Sequence, residues 1–172
     1  MTARTDRRLD LVVYGATSFV GQILCRRLVE RHGVDGDLRW AIAGRDPAKL
    51  DRVAAATGAE VERIVADAGD EAALATLARS TRVVVATVGP YTLHGSRLVA
   101  AVADAGTDYA DLTGEPEFVD LVYVRHDARA RETGARLVHA CGFDSVPHDL
   151  GAYFTVRQLP EGVPLTVDGY VT

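Results

Sequence analysis

Lysine is almost missing from this chain: Lys49 is the only one in 172 residues. Any chemistry that needs a lysine as base or Schiff-base former must use that position or fail. Cysteine is nearly as scarce, with Cys25 and Cys141 alone. Two thiols cannot build the dense disulfide framework of a small secreted domain. Cys25 falls in a helical pattern, where a buried thiol behaves as a small apolar side chain. A cytoplasmic, reducing setting is therefore expected. No apolar run approaches the ~18 residues of a membrane span. Arg4, Arg7 and Arg8 lead into the first apolar run with no h-region between them, so no signal peptide is expected. The formal net charge of -5 argues against a nucleic-acid partner, whose phosphates favour a basic face. His139, Cys141 and His148 lack the paired spacing of a metal centre, and no metal is expected.

What is present is an alternation of short apolar runs with amphipathic stretches. Residues 9–14 read as a strand. Residues 19–32 read as a helix, with Val20, Ile23, Leu24 and Leu28 at helical spacing. The runs 38–43, 61–66, 82–88, 108–112 and 136–140 read as further strands. Between them, helices are expected over 47–57, 71–79, 95–105 and 116–133. Asp46 and Asp70 stand at N-caps, and Pro47 at a first helical position. Strict β-α alternation predicts an α/β fold: a doubly wound parallel sheet of Rossmann type, in strand order 3-2-1-4-5-6. Residues 1–159 form the expected dinucleotide-binding domain. Pro160, Gly162 and Pro164 then read as a linker, and residues 165–171 as a strand that opens a second α/β domain. An unpaired strand invites pairing, so a homodimer through this C-terminal strand is also expected.

The first βα turn reads GATSFVG. Gly15 permits a tight turn after the strand, and Gly21 permits close packing of the helix on it. Thr17, Ser18, Phe19 and Val20 then lie where helix-start amides face a pyrophosphate. Ser18 stands at the usual middle glycine; its hydroxyl is free to donate to phosphate, or its Cβ to crowd it. The second strand ends Ala43-Gly44-Arg45, with no acid to hold a ribose 2′-hydroxyl. Arg45 suits a bidentate clamp on a 2′-phosphate, and Lys49 one turn later adds a point charge. The expected cofactor is therefore NADP(H). Asp67, at the third strand's end, is placed to accept from the adenine amine. Val88, Gly89 and Pro90 end the fourth strand, on the nicotinamide side.

Two catalytic candidates follow. Tyr91 either aims its hydroxyl at a substrate or packs under the loop. Glu115 either orients a substrate or braces loops. Asp111, Asp144 and His148 also stand at strand ends, although Asp144 and Ser145 before Val146-Pro147 read best as a helix cap.

GATSFVG, AGR at 43–45, TVGPY at 87–91, DAGTDYADLTGE and CGFDSVPHDLG occur in this order. Together they resemble the N-terminal NADP-binding domain of saccharopine dehydrogenase-like oxidoreductases, nearest the branch containing trans-acting enoyl reductases of polyketide-lipid assembly. Ser18 departs from that pattern, which has glycine there. The resemblance reaches about residue 159. It implies hydride transfer to a C=C or C=N bond of a small-molecule or acyl-chain substrate, and a second domain after this one. A short-chain dehydrogenase is excluded, because its Tyr-x-x-x-Lys needs a lysine and Lys49 is preceded by Arg45. The competing reading is a non-catalytic NADP(H)-binding regulatory or interaction module.

Overall fold

The computed structural model describes residues 6–170. β1 (Leu9–Tyr14), β2 (Trp40–Gly44), β3 (Glu62–Val65), β4 (Thr81–Ala86), β5 (Asp108–Asp111) and β6 (Leu137–Val138) form one parallel sheet. Their order is β3-β2-β1-β4-β5-β6, as the alternation requires. The helices are α1 (Phe19–His32), α2 (Pro47–Thr57), α3 (Glu71–Ser80), α4 (Tyr91–His94), α5 (Ser96–Ala105), α6 (Pro116–Thr133) and α7 (Val146–Val156).

The central strands read apolar on both faces because each face is covered. Val13 and Ile42 pack with Cys25 and Leu28 of α1 and with Leu50 and Val53 of α2. Val12, Tyr14 and Val84 pack on the other face with Leu74 and Leu77 of α3, Leu98 and Val102 of α5, and Phe118 of α6. Cys25 is fully buried, as its place in the helical pattern implies. Arg7 is a buried cation at the amino ends of the strands. Its guanidinium donates to the carbonyls of Ala78 and Thr81 and to the Thr107 hydroxyl. These bonds tie β1 to α3 and β4 at the end of the sheet remote from the strand tips discussed below.

The two aspartate caps hold in detail. Asp46 Oδ1 accepts from Lys49 N at 3.1 Å and Asp70 Oδ1 from Ala73 N at 3.0 Å. Five expectations need correction. The fourth strand stops at Ala86, so Val88, Gly89 and Pro90 follow it as a loop. The second strand begins at Trp40, where pairing with Leu11 of β1 begins. The sixth strand is only two residues long, because it is an edge that pairs on one side with Tyr109 and Ala110. The helix expected over 95–105 is preceded by a separate turn, α4. Lastly, the strand expected over 165–171 is not formed over 165–170, and position 171 lies outside the described residues. Residues 165–170 run as irregular, exposed chain, with Tyr170 89% exposed. An alternating pattern without a ladder neighbour does not make a strand. α7 likewise buries none of its residues. No helix among the described residues is long and apolar enough to cross a membrane.

Candidate functional site

α1 and α4 leave opposite faces of the sheet after β1 and β4, so their loops diverge. The crevice between them is the switch point of a doubly wound sheet. Here it forms a cleft of about 480 Å³, roofed by the ends of β1 to β4.

Its floor is the β1–α1 turn. Gly15 sits at φ +88°, and a Cβ there would lie 2.4 Å from Val88 Cγ2. A Cβ on Gly21 would lie 2.3 Å from the Gly15 carbonyl oxygen. Both glycines are therefore demanded by close backbone approach. Ser18 is the N-cap of α1. Its Oγ accepts from Gly21 N at 2.9 Å and donates to Thr87 Oγ1 at 3.0 Å, and Thr87 donates to the Gly15 carbonyl. Neither donation to a phosphate nor crowding by the Cβ is what the side chain does here: its oxygen caps α1 and its hydroxyl donates to Thr87. Phe19 and Val20 are the first two helical residues, so their amides have no intrahelical acceptor and form the positive end of α1. The Phe19 ring is 80% exposed, so this residue offers its backbone.

Gly15, Thr17, Ser18, Gly44, Arg45, Asp67, Val88 and Gly89 line the cleft together. Arg45 follows the tip of β2, and Asp67 follows β3. Tyr14 lies beneath them. Burial pushes its hydroxyl up to about 12; the Asp67 carboxylate pushes the same way and the Arg45 cation opposes. Asp67 Oδ1 accepts from Gly69 N at 2.7 Å, which fixes the turn after β3.

Several expected residues lie elsewhere. Lys49 is exposed on α2 and does not line the cleft, because the helix carries it away from the strand tip. Pro90 is the N-cap residue of α4 and also lies outside the lining. Gly21 sits below the turn.

Tyr91 does not aim at a substrate. It is 5% exposed, and its hydroxyl donates to the Ala86 carbonyl at 2.9 Å inside the core. Burial pushes that hydroxyl up to about 12, so it holds its proton. Glu115 is a brace. Its two carboxylate oxygens accept from Tyr91 N at 2.7 Å and Thr92 N at 2.9 Å, capping α4 from outside the helix. Those amides, Thr92 first, hold its carboxyl below the usual range. Asp111 is a second brace, accepting from Thr113 N and Ala140 N at 3.1 Å and meeting His139 Nδ1 at 2.7 Å. Ser145 is the N-cap residue of α7, but no side chain closes that cap. His148 packs edge-on against Phe143, away from the cleft lining.

Sequence reasoning missed Tyr14, Ala68, Gly69, Thr87, Leu93, His94 and Arg97 in the lining. Thr87 was within reach, since it is the last polar residue before Gly89. His94 and Arg97 carry no local signal, because they come from α4 and α5 and meet the strand tips only in the fold.

A family model described as the saccharopine dehydrogenase NADP-binding domain matches residues 11–139. A relative from Mycobacterium tuberculosis is 49% identical over 156 residues, 89% of this chain and 36% of that protein. Trans-acting enoyl reductases of Mycobacterium ulcerans and Mycobacterium leprae are each 44% identical, over 159 and 158 residues; the alignments cover 91% and 90% of this chain and 37% of each relative. The chain thus spans little more than a third of the length of these relatives. Among solved structures, apo saccharopine dehydrogenase (L-Glu forming) from Saccharomyces cerevisiae superposes with a TM-score of 0.70 at 22% identity, covering 87% of this chain and 31% of that one. Triphenylmethane reductase of Citrobacter sp., solved with NADP(H), gives 0.55 at 18% identity, covering 76% and 48%. These two establish a shared fold. A doubly wound sheet, a glycine turn under a positive helix end and an arginine at the acid-free tip of β2 suit a phosphorylated dinucleotide, and the sequence match agrees: the chain belongs to the saccharopine dehydrogenase NADP-binding domain family.

Proposed function

We propose that this chain is the cofactor half of an NADPH-dependent reductase acting on an activated C=C bond of an acyl-chain substrate in lipid metabolism. The observation that carries the reading is Arg45, which lines the cleft at the end of β2 where no carboxylate competes for the ribose. Gly15 leaves the space for the pyrophosphate, and the Phe19 and Val20 amides would hold it. Arg45 would clamp the 2′-phosphate, and Asp67 would face the adenine edge. Thr17, Gly44, Val88 and Gly89 complete the wall. Bound NADPH would supply hydride from the nicotinamide ring.

The choice of C=C over C=N follows the relatives named trans-acting enoyl reductases. Residues 1–159 form the cofactor domain in this reading. The substrate wall lies in the further sequence that such relatives possess, since substrate sites favour domain interfaces. Tyr91 and Glu115 support the α4 loop beneath the nicotinamide side and do not act on substrate. The free thiols of Cys25 and Cys141 support a cytoplasmic setting.

Calorimetric titration of NADPH and NADH tests the nucleotide assignment. One charge-assisted clamp predicts about 1.5–3 kcal/mol in favour of NADPH. Arg45→Ala should erase that preference and leave NADH affinity unchanged. Equal affinities in the parent chain overturn the assignment.

A further inference from the structure

The cleft holds a second arginine that the β2 tip does not explain. Arg97 projects from the first turn of α5 and lines the same cleft as Arg45, Asp67, Ala68 and Gly69. Its Nε donates to Glu71 Oε1 at 3.3 Å. Glu71 is the first residue of α3, directly after the Asp67–Asp70 turn. The ion pair therefore tethers the guanidinium to the start of α3, beside the turn that follows β3. Both partners are surface groups, with 57% and 80% of their side chains exposed, so the pair adds little to stability. Its consequence is orientation.

The positions along the cleft assign roles. The amides of α1 mark the pyrophosphate, Arg45 marks the ribose 2′-position, and Asp67 with Gly69 marks the base beyond it. Arg97 belongs to this last group. A guanidinium is planar and weakly hydrated, and its plane lies flat on a ring, which a tetrahedral ammonium cannot match although it too is drawn to the ring face. Glu71 takes the in-plane Nε–H, which leaves the flat face as the surface able to meet a ring.

We propose that Arg97 is a positioning residue for adenine, stacking its guanidinium plane on the base while Asp67 meets the base edge and Glu71 holds the plane. This rests on the NADP(H) reading above and adds to it a base-reading cation distinct from the phosphate-reading Arg45. The two arginines then differ in what they discriminate. Arg45 separates NADPH from NADH, whereas Arg97 binds both, because both carry adenine.

The test is calorimetric titration of NADPH, NADH and 5′-AMP into the parent chain, Arg97→Ala, Arg97→Lys, Arg97→Phe and Arg45→Ala, with a thermal melt of each. A cation on a ring is worth about 0.5–2 kcal/mol, roughly 2- to 30-fold in affinity, and a base on an aromatic side chain about 1–3 kcal/mol. Arg97→Ala should weaken all three ligands by a similar factor, near tenfold on this scale, with an unchanged NADPH-to-NADH ratio. Arg97→Lys should not restore binding, because it keeps charge but loses the plane. Arg97→Phe should restore most of it. A selective loss of NADPH in Arg97→Ala overturns the proposal and makes Arg97 a second phosphate clamp. Full rescue by lysine, or unchanged affinities in Arg97→Ala, also overturns it. If the parent chain binds none of the three, the nucleotide reading falls first and the proposal with it.

Discussion

Gly21→Ala is the smallest change that should damage the cleft without touching it. The added Cβ would lie 2.3 Å from the Gly15 carbonyl oxygen, 2.8 Å from Ala16 Cα and 2.9 Å from the Ala16 carbonyl carbon. All three atoms are backbone, so no flexible side chain can yield. Moving from 2.3 Å to the 3.4 Å of ordinary contact opens the α1–β1 gap by about 1.1 Å. Overpacking of this kind costs about 1–3 kcal/mol. At roughly 2–4 °C per kcal/mol for a chain of this size, the melting temperature should fall by about 4–8 °C for a mid-range loss. The same displacement carries the Phe19 and Val20 amides away from the pyrophosphate. Losing one hydrogen bond to a charged group costs about 1.5–3 kcal/mol, so NADPH affinity should drop roughly 10- to 150-fold. Gly44→Ala is the control for the fold. Its Cβ would meet Leu50 Cδ2 at 3.5 Å and Thr17 Cγ2 at 3.9 Å, both ordinary contacts, so its melting temperature should match the parent's. Differential scanning fluorimetry and calorimetric titration read both quantities. A Gly21→Ala variant with parental stability and parental NADPH affinity would refute the close-approach argument.

Tyr91→Phe should lower stability by about 1–3 kcal/mol, because the buried Ala86 carbonyl loses its donor. NADPH affinity should be unchanged, and turnover in a longer chain should persist; a parental melting temperature with lost turnover would instead make Tyr91 catalytic. Acid should act through Asp10, whose carboxylate accepts from Arg39 and Arg82 and is held down to about 2, chiefly by the Arg39 hydrogen bonds. A folded value below the ordinary 3.8 means this stabilisation is complete above pH 3.8 and lost as pH falls toward 2. Solvent screening of the exposed arginines limits it to about 1 kcal/mol. Melts between pH 5 and pH 2 should show Asp10→Asn losing less stability than the parent over that interval, and parallel curves would exclude the mechanism.

The β1–α1 turn was legible because its chemistry is local. A glycine at positive φ and a second glycine six residues on specify one geometry within one stretch of chain. The caps of α2 and α3 were legible for the same reason, since each aspartate bonds an amide three residues ahead. Even here, Ser18 illustrates the limit. Its type suggested a donor to phosphate or a Cβ that crowds it, and the cap came only with the fold. Thr87, 69 residues away, accepts the hydroxyl's hydrogen bond while the oxygen caps α1.

Orientation is what the sequence withheld. Tyr91 and Glu115 have side chains suited to acid–base work, and both stand at strand ends. Yet Tyr91 faces Ala86 in the core, and Glu115 spends both oxygens on the amides of α4. The same logic governs the cations. Lys49 is four residues from Arg45 in sequence, but α2 carries it out of the cleft. Arg97 is 52 residues from Arg45, but α5 packs beside α3 and brings it to the β3–α3 turn. In a doubly wound sheet the glycine turn is built from one stretch of chain, whereas the far wall of the cleft is assembled from helices that follow different strands. Local spacing therefore reveals the first, while the second appears only when β3 and β4 have been placed on opposite sides of β1 and β2.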